Sequence, residues 1–408
     1  MQDVNPIRSP QFICSGALIA ALYCGAVWPP DRAVADPPKL PAQSNRPVSD
    51  LSLRLEVERA IDKGVAWLEK AQSAEGYWSS PDHPALSGLA LVALQGDPSK
   101  ASRVEKSRPD VLAKGYAYLL RCVQPDGGIY AKKELINYNT SVGVLALALA
   151  NRTDYDPIIK KARQQIIAGQ WDFDQQGKTD NPLDGGIGYG SSYPHSDLAN
   201  TMHALEALYF SRRVAADKGQ TGERDLNWDA AIQFIQNCQH VPKYNKQPWV
   251  SEDPQNAGGF VYFPGESKAG DVTLPNGRTA LRSYGSISYA GMLSYVYAGL
   301  KPDDPRVQAV LEWAQKNYTL EENPGMGPQG LFFYFHTMAK ALSTSGVETL
   351  ETKDGKKHDW RKELSLRLID LQKAEGSWAN ESGRWWEKDP VLVTSYSLIA
   401  LEMIHRAL

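Results

Sequence analysis

Cysteine and histidine are scarce: 408 residues carry 4 Cys and 7 His. So few cysteines exclude a disulfide framework, and no Cys-x-x-Cys or His-x-x-x-His spacing offers a zinc site. No metal and no cofactor is expected. Neither sign of charge is in excess, with 44 Lys+Arg against 47 Asp+Glu. The chain therefore lacks the basic footprint that phosphate neutralisation needs, and nucleic acid is excluded as a partner. The Gly-rich stretch Asp184–Gly190 has no P-loop lysine, and no Gly-x-Ser-x-Gly elbow is present. Aromatic residues are what the sequence has in plenty. Its 11 Trp and 19 Tyr exceed what a core usually requires, so that some line a cavity or simply fill the interior.

Arg8 precedes an apolar run from Phe12 to Trp28, and Ala33-Val34-Ala35 supplies a small-x-small cleavage site before Asp36. Residues 1–35 read as a secretory signal peptide, which makes the protein periplasmic or secreted; left uncleaved, the same segment is a membrane anchor. Tyr23, before Cys24, is not the small residue that a lipoprotein signal wants. Residues 36–52 carry Pro37, Pro38, Pro41 and Pro47 without periodicity and read as an exposed linker. Residues 53–408 are left as the folded unit. Loss of the signal takes Cys14 and Cys24 with it; Cys122 and Cys238 remain, either to form one bridge or to fill small buried sites.

Past the linker the chain repeats itself. Each copy has an amphipathic segment ending in Gln, a Gly-aromatic turn and a small, apolar helix. GVAWLEKAQSAEGYW (64–78) leads to LSGLALVAL, and GYAYLLRCVQPDGGIY (115–130) to NTSVGVLALALA. Further copies centre on Gly185–Gly190, Gly258–Phe263, Gln329–Phe335 and Leu364–Trp378, at a period of roughly 50 to 60 residues, enough for two helices and a turn. The first helix of each pair has a charged face, as in Glu58, Asp62, Glu69 and Lys70, and can meet solvent. The second is apolar nearly all round, as in Val142 to Ala150, and must be buried. Such pairs close into a ring: an all-α, single α/α toroid of about six helix-pair repeats, with inner-helix N-termini facing one mouth. An open solenoid is the alternative, at the cost of wet inner faces.

Gln-x-x-x-Gly-x-Trp stands complete as Gln72, Gly76, Trp78 and as Gln372, Gly376, Trp378. It resembles the Gln-Trp repeat of squalene and terpenoid cyclases, and the pattern from about Leu53 to Leu408 is similar to the prenyltransferase and squalene-cyclase repeat superfamily. The resemblance implies a toroid around an aromatic cavity and a hydrophobic, isoprenoid-like small-molecule partner, with peripheral membrane contact as a further implication. In the cyclases a helix opens with Asp-x-Asp-Asp-Thr, whose middle Asp protonates an alkene or epoxide. The matching stretch here is Asp197-Leu198-Ala199-Asn200-Thr201, so Ala199 stands at the proton donor's place and any acid chemistry falls to Asp197, assisted by His195 and Asn200. The alternative for Asp197 is a helix N-cap. In prenyltransferases zinc is held by Asp, Cys and His; His336 matches the histidine, but Ser286 and Ser288 stand where the acid and thiolate would be, so no zinc is implied. His195 and His203, eight apart, could share a helix face.

Other mouth candidates are Tyr138, Asp184, Tyr284, Tyr289, Trp385 and Trp386, which with His336 make a substrate-binding set. Aromatic walls with a few acids suit a polyisoprenoid; they also suit a sugar, since Trp and Tyr faces stack on pyranose rings. Three functions follow: a terpenoid-cyclase-like or prenyl-transferring enzyme with an altered acid, a non-catalytic toroid that binds a lipid or a protein, and a secreted carbohydrate-active α/α-barrel enzyme.

Overall fold

The computed structural model describes residues 48–98, 108–190, 193–215 and 224–408. The segment read as signal peptide lies outside the described residues, as does the linker through residue 47. Among the described residues twelve α-helices run in six pairs. The odd-numbered, outer helices are α1 (Val48–Lys70), α3 (Arg108–Arg121), α5 (Asp156–Ala168), α7 (Trp228–Asn237), α9 (Pro305–Lys316) and α11 (Trp360–Leu371). The even-numbered, inner helices are α2 (Pro84–Gly96), α4 (Ile136–Leu149), α6 (Leu198–Phe210), α8 (Gly285–Tyr297), α10 (Leu331–Thr344) and α12 (Pro390–Ala407). Helix α1 begins at Val48, inside the stretch read as linker.

The inner helices touch in the order α2, α4, α6, α8, α10, α12, and α12 packs back onto α2. The ring is closed, and the solenoid alternative falls. Closure follows from composition: every residue of α2 is buried, as is α12 from Val391 to His405. A helix without a polar face has to be covered on all sides. Among the described residues strand is confined to two antiparallel hairpins, β1 (Asp271–Thr273) with β2 (Thr279–Leu281) and β3 (Leu350–Glu351) with β4 (Lys357–His358).

In four of the repeats a Gln holds one pair to the next. Gln72 Nε2 donates to the carbonyl of Gly76 in its own turn (3.0 Å) and to that of Val111 in α3 (2.9 Å). Gln239 does the same with Gly258 and Arg306, and Gln170 with Gly185 and Asn227. Gln372 closes the circle, donating to Gly376 and to Ala60 of α1, both at 2.9 Å. Each pair of bonds satisfies carbonyls that would otherwise go unmet, at about 1 kcal/mol per bond. Gly376 sits at φ +105, where a Cβ would lie 2.5 Å from the Lys63 carbonyl of α1, so only glycine lets the last turn meet the first helix. Trp78 and Trp378 lie buried over these turns, their Nε1 donating to Leu68 and Leu368 carbonyls at 2.7 Å. A hydroxyl on the following inner helix accepts the turn N–H: Ser87 from Trp78, Thr140 from Ile129, Thr201 from Ile187, Ser288 from Phe260 and Thr394 from Trp378.

Cys122 and Cys238 are buried, unbridged thiols in different repeats. Among the described residues no helix is long and apolar enough to cross a membrane.

Candidate functional site

The six inner N-termini collect at one mouth, and most are capped by a side chain. Asn139 Oδ1 accepts from Ala85 N at the start of α2 (3.0 Å), and Asn323 Oδ1 from Ser286 N at the start of α8 (2.9 Å). Asp389 caps α12 through Val391 N at 2.8 Å. Helix α10 is capped from a distance: Glu387, in the loop before α12, accepts from Phe333 N (2.8 Å) and from Asn380 Nδ2 (2.6 Å). Burial raises the Glu387 carboxyl above its usual value, against the pull of these donors.

Asp197 caps α6. Its Oδ1 accepts from Asn200 N (2.9 Å) and its Oδ2 from Asn200 Nδ2 (2.7 Å), while Thr201 Oγ1 donates to its backbone carbonyl (2.7 Å). The side chain is fully buried, and burial lifts its pKa from 3.8 to about 6 against the Asn200 donors, His195 and Tyr262. Tyr262 and Tyr189 are close neighbours of this acid and of each other, and burial pushes both hydroxyls upward, so they stay protonated. Tyr189 is half-buried, which makes it the open end of a chain of protonatable groups running from Asp197 to the mouth. A carboxyl that titrates near neutrality beside neutral hydroxyls can give and recover a proton.

Below the mouth, side chains from four inner helices meet on the ring axis. Tyr138 (α4) packs edge-on against His203 (α6) at 5.0 Å, and His203 lies 6.2 Å from Phe333 (α10). Phe333 and His336 both face Tyr396 (α12), at 5.7 and 4.7 Å. Two turns into α6 and α10, Lys340 forms a buried ion pair with Glu206, which also accepts from the Tyr297 hydroxyl of α8 at 3.0 Å. This pair closes the axis from below. Burial first, and the Lys340 charge second, pull the His203 pKa down to about 3 and His336 well below its usual value, so both imidazoles are neutral.

The structure brings most of the expected residues together and separates two. Asp197, Asn200, His195, Tyr138 and Tyr284 gather at the mouth, with Tyr284 as the N-cap residue of α8. His195 packs against Phe263 (4.6 Å) and precedes α6, so it shares no helix face with His203. His336 belongs to the axial layer. Trp385 and Trp386 form an exposed rim, 39% and 47% accessible, with φ of 53° and 65°. Trp386 lies 4.6 Å from His83, and Arg384 covers Trp385. A pair of non-glycine residues held in the left-handed region is strained by about 1 kcal/mol or more each. Asp184 lies elsewhere: its two oxygens accept from Phe173 N (2.6 Å) and Asn181 N (2.8 Å), which fixes the loop before Gly185 and leaves it no part in the mouth. Tyr289 faces Tyr334 at 5.7 Å, whose hydroxyl reaches Thr319 at the outer layer, so it too is outside the mouth. The sequence reading missed Tyr189, Tyr262, Phe333, Tyr396 and the Glu206–Lys340 pair. The last had a readable signal, a charge in the middle of an otherwise apolar inner helix. Among the described residues no group of three His, Cys, Asp or Glu is placed to hold a metal.

No family model matches the chain, and no curated protein matches it. Solved structures do. The type II terpene cyclase MstE from Scytonema, without ligand, superposes with a TM-score of 0.52 at 12% identity, over 87% of this chain and 99% of that one. An inactive variant of the alpha-1,6-mannanase GH76A of Salegentibacter sp., in complex with alpha-1,6-mannotriose, gives 0.53 at 10% identity over 85% and 99%. A D-mannose isomerase gives 0.54 at 14% identity over 91% and 100%. The chain is an α/α toroid of the kind these proteins share, and at such identities the likeness defines the fold alone.

Proposed function

We propose that the mouth is a shallow aromatic bowl that binds a polyisoprenoid or a comparably apolar small molecule, with Asp197 as the acid for any proton transfer. One observation supports this most. Tyr138, Ala199 and Phe333 are partly exposed at the inner N-termini, beside Ile136, Pro390 and the capping Asp389, with Tyr189, His195 and Phe263 around them, so the lining is largely aromatic and apolar. Apolar lining with a few polar groups is what a small-molecule site presents, and π faces also stabilise developing positive charge. Terpene cyclase MstE has been solved with geranylgeranyl dihydroxybenzoate bound, a prenyl ligand on the same fold.

The bowl's depth limits its chemistry. Ala199 at its lip and Glu206 at its floor are two turns apart, about 10 Å at 1.5 Å per residue. A triterpene cannot be enclosed in that depth, and Ala199 offers no carboxyl where the cyclases hold their proton donor. Asp197 itself is fully buried, so its proton reaches the bowl through Tyr262 and Tyr189. The segment read as an export signal places the encounter with ligand outside the cytoplasm, where the exposed Trp rim can also meet a membrane surface.

A sugar ligand is the second reading, favoured by the exposed Trp385 and Trp386 and by the mannanase likeness. It is weaker as hydrolysis, which uses two carboxylates flanking the bond. Asp184 spends both oxygens on backbone N–H groups, and Glu387 spends one on Phe333 N and the other on the Asn380 side-chain amide. Solvent extraction and mass spectrometry of the purified protein separate the readings. Isoprenoid carry-over is expected, and oligosaccharide carry-over would overturn it. Incubation with squalene and oxidosqualene is expected to give no polycyclic product; product from the wild type that persists in Asp197→Asn would remove Asp197 from the chemistry.

A further inference from the structure

His336 is 1% exposed, and neither ring nitrogen makes a well-formed hydrogen bond, the Tyr396 backbone approaching the ring only weakly. Its neighbours do not meet that need. Lys340 is engaged by Glu206, and the Tyr138 and Tyr396 hydroxyls interact with each other. Buried polar groups left unmet are rare because each forfeits its hydration, so an orphaned imidazole on the axis of a ligand bowl points to a partner that arrives with the ligand. A neutral imidazole presents one N–H donor and one bare nitrogen. A hydroxyl answers it in either tautomer, and an anion would meet one donor and one repelling lone pair. Lys340, the cation at the floor of this layer, is already neutralised by Glu206 and does not favour an anion.

On the reading that the bowl holds an isoprenoid, we propose that His336, with His203 beside it, recognises an uncharged hydroxyl on that ligand, so that the ligand class is a neutral isoprenoid alcohol rather than a hydrocarbon or a diphosphate. The Phe333 ring lies above His336, nearly parallel to it (23°, 6.5 Å). Being only partly buried, Phe333 is the side chain that turns aside to let the alcohol end through while the hydrocarbon stays against Tyr138 and Tyr189. A site built to bond a hydroxyl discriminates strongly against an analogue lacking it, because its own polar groups are then left unpaired.

The test is calorimetric titration of the full chain with farnesol, farnesene and farnesyl diphosphate. Farnesol is expected to bind at least about tenfold tighter than either of the others. In His336→Phe the farnesol affinity should fall to that of farnesene, and His336→Gln, which keeps a donor and an acceptor, should recover part of the gap. Equal binding of farnesol and farnesene by the wild type overturns the proposal while leaving the isoprenoid reading intact; binding of none of the three overturns both. Should His336→Phe fail to fold, imidazole nitrogen resonances of the wild type decide: they are expected to move with farnesol and not with farnesene, and unmoved resonances refute the hydroxyl contact.

Discussion

Replacing Asp197 by Asn isolates what burying this carboxyl costs. Its pKa rises from 3.8 to about 6, chiefly by desolvation, with the Asn200 donors, His195 and Tyr262 pulling the other way. Between those two values the native chain holds a proton that the unfolded chain has released. Stability therefore falls as pH climbs from about 4, and the loss is complete above about 6. A shift of about two units is worth about 3 kcal/mol. Asn is as good an N-cap as Asp, and its oxygen can take over the bond from Asn200 N. Asn200 Oδ1, which has no partner, can turn to accept from the new amide. The variant should match the wild type below about pH 4 and exceed it by up to about 3 kcal/mol at pH 7. Urea unfolding followed by far-ultraviolet circular dichroism, at closely spaced pH values from about 3.5 to 7.5, gives the difference at each pH, and taking the difference cancels the other carboxylates. A gap that does not change with pH, or that closes on going from acid to neutral, would refute the argument.

Gln372→Ala removes both bonds across the ring's closure, to Ala60 and Gly376; a loss of about 1–3 kcal/mol is expected from the stranded carbonyls, and a urea midpoint unchanged from the wild type would show that closure rests on packing alone. Lys340→Met leaves Glu206 buried with only the Tyr297 hydroxyl and should cost about 3–5 kcal/mol, whereas Lys340→Met with Glu206→Leu should regain most of it. A double variant as unstable in thermal melts as the single one would contradict that account of the axial pair.

The fold was legible in the sequence because its contacts are made by short, repeated segments. Gln72, Gly76 and Trp78 sit within one turn and name their own partners, and the same three residue types recur at Gln372, Gly376 and Trp378. The all-apolar stretch in α4 announced burial on every side without any partner being known. The mouth was only partly legible. Asp197, His195 and Asn200 are close in sequence and could be read as one group; Tyr138, His203, Phe333 and Tyr396 come from four helices and meet only because the ring closes. Asp184 and Tyr289 misled for a related reason. A Gly-rich turn and an inner helix both pass near the mouth, but Asp184 is turned into its own loop by Phe173 N and Asn181 N, and Tyr289 is turned toward Tyr334 on the next inner helix. The charge at Lys340 was visible, yet its purpose depends on Glu206, on a helix that is not its neighbour in the ring.

That axial pair decides what kind of toroid this is. A ring of six inner helices can leave a deep central chamber or fill it, and the choice lies in the side chains that point to the axis. Here Glu206 and Lys340 occupy it two turns down, and an ion pair so placed needs its full set of partners, since either charge alone would be costly. His203 and His336 above it are held neutral by the same burial and by the Lys340 charge. The layer that ends the bowl therefore also sets its polarity: hydrogen-bonding groups without net charge beneath aromatic walls. On the proposed reading, such a floor favours a ligand that is apolar along its length and polar but uncharged at one end, and it disfavours an anionic leaving group. Chemistry that begins by ionising a diphosphate would have to find its cations at the rim, where Arg384 lies over Trp385, whereas chemistry that begins with a proton has Asp197 already poised near neutrality.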